Sequence, residues 1–137
     1  MTLLALLATC GLIIIAAIHL LWALGFWWPI KDEAELARTV VGTKGIEKMP
    51  DAVACSVVVV ALLFAAAWPW FGDGFLKSLG LFGIALVFQI RAAVAYAPFW
   101  KRNSPEQPFR RLDETYYAPL CMAFGVIFMI LAGASMT

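Results

Sequence analysis

Three polar residues stand inside otherwise apolar stretches of this sequence: His19, Gln89 and Arg91. A charge at the middle of a bilayer costs on the order of 3 kcal/mol on insertion scales, so such residues usually face a protein interior and have partners. His19, the sole histidine, has the chemistry to move a proton near neutral pH. Arg91 could bind an anion, or reach along its apolar stem to a carboxylate nearer the surface. Asp113 and Glu114, followed by Tyr116 and Tyr117, supply acceptors of that kind. Trp22 shares a helical face with His19 at spacing i, i+3. Together these residues define a candidate ligand pocket. His19 and Trp22 form one wall, Gln89 and Arg91 another, and Asp113 and Tyr117 lie at the rim.

Each residue also has a purely structural explanation. Arg91 fits an ion-paired residue near a helix end. His19 fits a donor to a neighbouring helix, a bond worth about 1 kcal/mol in a membrane. Tyr116 and Tyr117 fit the aromatic belt at the lipid–water boundary. A lone histidine also suits axial ligation of a haem or chlorophyll metal, but no second histidine completes such a set, and no cofactor is predicted. Cys10, Cys55 and Cys121 form no C-x-x-C pair, so neither a redox motif nor a zinc site is indicated.

The elements that must hold these residues are membrane helices. Hydrophobic residues make up 64% of the 137 positions and charged residues 14%, with a mean hydropathy of +0.88. A soluble domain of this size has no interior large enough for so much apolar surface. The apolar residues fall into four blocks, at about 3–28, 51–70, 75–98 and 115–135, each near the roughly 20 residues needed to cross a bilayer. The expected fold is all-α: one transmembrane domain over 1–137, a four-helix membrane bundle with both termini on the same side. The first block lacks the basic start of a signal peptide, and its apolar run is too long for one.

Two loops, at about 29–50 and 99–114, connect the blocks on one side. They carry eight of the ten Lys and Arg residues, which by the positive-inside rule places them in the cytoplasm and both termini outside. A bacterial inner membrane is the expected location. A net charge of +1 and no basic tail exclude a nucleic-acid partner. Within the first loop, Asp32 to Val41 has helix-forming composition, with Gly42 and Gly45 to end it. Asp51 suits the start of the second block, and Asp113 with Glu114 the start of the fourth. The turn Trp68-Pro69-Trp70-Phe71-Gly72-Asp73-Gly74 implies that the second and third helices are antiparallel neighbours. His19 lies nine residues before Trp28 and Arg91 seven before Pro98, which puts both about 10–14 Å below the same surface.

Two motifs carry a resemblance. His19-Leu20-Leu21-Trp22-Ala23-Leu24-Gly25 with Pro29 just after, and Phe109-Arg110-Arg111-Leu112-Asp113 followed by Tyr117-Ala118-Pro119-Leu120, resemble a family of small bacterial membrane proteins catalogued as a domain of unknown function. The resemblance spans most of the chain and implies four helices. It groups His19, Trp22, Gly25, Arg91, Asp113, Tyr117 and Pro119 as one constellation, and it implies no activity.

Two functions remain in view. The first is an accessory or structural subunit of a larger membrane assembly, or a homo-oligomer, whose partners are lipid, other membrane subunits or a second copy. Short loops and the absence of a catalytic motif point that way and away from an enzyme. The second is a small transporter or membrane enzyme that binds a lipophilic or anionic ligand in a cytoplasm-facing pocket around His19 and Arg91.

Overall fold

A computed structural model describes all 137 residues, and its regular structure is entirely helical. Four stretches are long and apolar enough to cross a membrane: Thr2–Ala23, Ala52–Trp70, Phe75–Val94 and Phe109–Ala134. The first is α1 (Thr2–Ala23). The second is α3 (Ala52–Ala67) with a closing 3-10 turn, Trp68–Trp70. The third is α4 (Phe75–Val94). The fourth runs on continuously through α6 (Phe109–Leu112), a π-helical turn (Asp113–Tyr117) and α7 (Ala118–Ala134). Two short helices, α2 (Glu33–Val40) and α5 (Pro98–Asn103), occupy the connections. Only 27 of the 137 residues are buried, while Ile14, Val53, Leu76, Val87 and Ile130 lie exposed. Water does not tolerate apolar surface on that scale, whereas lipid covers it at no cost.

The helices pack as two pairs, α1 along α3 and α4 along α7, and the pairs meet where α1 touches α7. Small residues make this close approach possible. Ala8 and Leu12 of α1, Leu81 and Ala85 of α4, and Phe124 and Phe128 of α7 form the main core, in which the rings of Phe88 and Phe128 stack at 6.0 Å. At Gly125 the Gln89 side chain lies so near that a Cβ would strike its Cγ.

The expected contact between the second and third helices is corrected by this arrangement, since α3 and α4 have their packing partners elsewhere. The cause is Trp68. Its indole lies directly over Gly80 and donates Nε1–H to the Lys77 carbonyl oxygen at 3.1 Å. A bulky ring therefore fills the angle where the two helices leave their turn, and they splay.

Helix ends also shift. α1 stops at Ala23 rather than Trp28, because the chain turns at Gly25 with φ +82°, and Trp22 Nε1–H then donates to the Trp28 carbonyl at 2.8 Å. α4 stops at Val94 rather than Pro98. Pro98 instead opens α5, a first-turn position where its missing N–H has no partner to lose. The fourth span begins at Phe109 rather than Thr115, so most of the expected 99–114 loop is helical, and Asp113 lies inside the span instead of capping it. The cap at Asp51 forms as expected, accepting from the Ala54 N–H at 2.8 Å, and Asp32 caps α2 in the same way, accepting from the Glu35 N–H at 2.8 Å.

The two connections lock together. Gly42 ends α2 with φ +69°, and its backbone lies against the ring of Phe109, which is 2% exposed. Only glycine leaves room for that ring in that conformation. Gly42 also accepts from the Glu106 N–H, and Asn103 from the Lys44 N–H, both at 3.1 Å. Gly45 N–H donates to the Glu106 carboxylate at 3.1 Å.

Candidate functional site

The polar residues sort into two places. The first is a buried ion cluster around Asp113, whose side chain is 0% exposed. Arg91 Nη2 donates to Asp113 Oδ1 at 2.7 Å. Trp100 Nε1 donates to Oδ2 at 2.9 Å, and Arg110 Nη2 to the same oxygen at 3.3 Å. Arg110 also donates to the Ala95 carbonyl at 2.6 Å and pairs with Glu114 at 3.3 Å, while Lys101 reaches Glu114 at 3.0 Å. The Arg91 guanidinium rests 5.4 Å from the centre of the Trp100 ring, a cation–π distance. Three cations share two carboxylates, which leaves one positive charge in excess. Arg91 Nη1 has no hydrogen-bond partner.

Why the sequence builds this cluster is local geometry. Arg110 precedes Asp113 by three residues and Glu114 by four, so a helix that starts at Phe109 puts all three on one face. A span that starts near residue 115 hides that spacing and leaves Arg110 as a loop charge and Trp100 as a residue of the aromatic belt. The π-turn at Asp113–Tyr117 re-phases the helix just past the cluster, a distortion frequent at functional sites. It leaves Asp113 turned inward while Tyr117 donates its hydroxyl to the Thr39 carbonyl at 3.1 Å, tying the span to α2.

The second place is a groove of about 1620 Å³ between the splayed α3 and α4, backed by α1 and α7. Its walls are mostly apolar: Val57 and Val60 of α3, Gly83 and Val87 of α4, Ile15 of α1 and Phe124 of α7. Polar groups gather at one end, where His19, Trp22, Arg91 and Tyr117 line it beside Thr39 and Val40 of α2. No Asp, Glu or Lys lines it, so Arg91, 34% exposed, is its one permanently charged side chain. His19 Nδ1–H donates to the Ile15 carbonyl at 2.9 Å, because a carbonyl oxygen only accepts. Its Nε2 makes no hydrogen bond within the chain. The His19 and Trp22 rings lie 4.8 Å apart, and both also border a smaller cavity of about 150 Å³ with Met49 and Cys55.

The expected constellation is thus divided. His19, Trp22, Arg91 and Tyr117 line one groove; Asp113 stands behind Arg91 as its buried counter-ion; Gln89 does not line the groove and packs against Gly125. With the helix ends at Ala23 and Val94, His19 and Arg91 lie only about 4–6 Å from them. That is nearer to the helix ends than the roughly 10–14 Å expected from ends at Trp28 and Pro98. No three His, Cys, Asp or Glu side chains converge as a metal site would require.

Fold and site together define an all-helical protein with four membrane-capable helices and a lateral, largely apolar groove polar at one end. The chain belongs to a family described as a protein of unknown function (DUF3995), whose model matches residues 12–128. No curated protein and no solved structure matches it.

Proposed function

We propose that this protein binds a lipophilic ligand that enters the groove from the bilayer. The observation that carries the proposal is the shape of the groove. It opens between α3 and α4, while residues of α2 and of the Trp28-Pro29 turn line one end, and Gly80, beneath the Trp68 indole, lines the other. A groove open between two membrane-spanning helices faces acyl chains along its length. Its volume also exceeds the about 300–1000 Å³ of ordinary small-molecule pockets, as a long-chain ligand requires. The balance of Lys and Arg favours a cytoplasmic polar end in a bacterial inner membrane.

Gly83→Trp tests this. A Cβ at Gly83 meets nothing within 4 Å, and replacing a mid-helix glycine should not weaken the helix, so the indole fills the groove without disturbing the core. Native mass spectrometry from a mild detergent should find lipophilic molecules retained by the wild-type chain and lost from the variant at unchanged melting temperature. Equal retention by both would refute the site.

The subunit role is supported by the exposed apolar faces of α1 and α7, among them Ile14 and Ile130, although lipid alone also covers such surfaces. A polypeptide travelling with the chain in fixed stoichiometry, and released by Gly83→Trp, would favour that role over ligand binding.

A further inference from the structure

We infer that the occupant of the groove is an anionic two-chain phospholipid, its phosphate held by Arg91 at the polar end. The inference rests on the groove being a lipid site, as proposed above, and adds the chemistry of the head group. Three observations carry it. The ion cluster behind the groove holds one more positive charge than negative, and Arg91 is the member that reaches the groove. Asp113 cannot neutralise Arg91 alone, since its second oxygen is already taken by Trp100 and Arg110. The lining supplies no carboxylate of its own. A guanidinium 34% exposed at the end of a wall otherwise apolar draws an anion through charge-assisted hydrogen bonds. His19 and Tyr117 border the same end and suit the hydroxyl-bearing part of a head group, His19 through its unpartnered Nε2. The occupant comes from the bilayer, because the groove is open on that side.

The test uses the full chain in nanodiscs that hold equal amounts of phosphatidylglycerol and phosphatidylethanolamine with matched acyl chains, and native mass spectrometry of the lipid retained on release. The wild-type protein should retain phosphatidylglycerol in preference by about fivefold, the factor expected of a single basic residue acting on an anionic lipid. Arg91→Gln should bring the ratio to parity. Arg102→Gln, which removes an exposed charge outside the cluster, should leave the preference intact. If Arg91→Gln fails to fold, the wild-type chain still decides: preference held by direct contact between guanidinium and phosphate should survive about 1 M salt, where the screening length is about 3 Å and diffuse surface attraction is lost. Parity in the wild-type protein, preference that survives Arg91→Gln, preference abolished by Arg102→Gln, or preference lost in high salt would each overturn the inference. Lipid retained without head-group preference sinks this inference alone, whereas no retained lipid at all sinks the groove as a lipid site as well.

Discussion

Asp113→Asn should be among the most damaging single substitutions in this protein. The change keeps the size of the side chain and removes only its charge. In the native cluster Asp113 is wholly buried and takes three donors, from Arg91 at 2.7 Å, Trp100 at 2.9 Å and Arg110 at 3.3 Å. Removing one partner of a buried ion pair costs about 3–5 kcal/mol, because the remaining charge stays buried without compensation. Here the penalty falls unequally. Arg110, 12% exposed, is left with Glu114 and the Ala95 carbonyl alone, whereas Arg91 at 34% recovers part of its hydration. A loss of about 2–4 kcal/mol follows, which for a chain of this length lowers the melting temperature by about 6–15 °C. Thermal unfolding in one mild detergent, read by the monodisperse fraction on size exclusion, measures it. The double variant Asp113→Asn with Arg110→Gln should recover part of the loss, since it removes the stranded cation. A melting temperature within about 2 °C of wild type for Asp113→Asn would refute the idea that this cluster holds the polar end together.

Two further substitutions probe the same end. Gly42→Ala forces an L side chain into φ +69° against the Phe109 ring and should lower stability by about 2–3 kcal/mol. An unchanged melting temperature would contradict the packing of α2 on α6. Tyr117→Phe removes the hydroxyl that donates to the Thr39 carbonyl and should cost about 1 kcal/mol. Limited proteolysis should then cut faster in the 29–50 connection, and an unaltered cleavage rate would mean that this bond does not restrain α2.

The four spans are legible because hydropathy and length report directly on the membrane, and the cap at Asp51 follows from residue type alone. The partnership of Arg91 with Asp113 was also within reach, since a buried arginine near a helix end needs a nearby carboxylate. What the sequence concealed was relative packing. The short turn between α3 and α4 suggested neighbours, but whether helices joined by a turn close or splay depends on a single wedge, Trp68 over Gly80. Such a contact has no periodic signature. Arg110 and Trp100 were concealed for a related reason. Their roles depend on a helix starting six residues earlier than hydropathy marks it, because polar Arg110, Arg111, Asp113 and Glu114 obscure the start of an otherwise apolar span. The groove follows from the splay and so could not be seen before it.

The most direct test of the groove is where a membrane lipid touches the protein. A phospholipid with a photoactivatable group midway along one acyl chain, reconstituted with the wild-type chain and irradiated, should attach mainly to groove residues such as Ser56, Val60, Val87 and Phe88. Peptide mapping should find few adducts at Ile14 and Ile130, which are as open to lipid but lie outside the groove. Adducts spread evenly around the helices would mean that lipid meets this protein only as solvent, and would contradict the account.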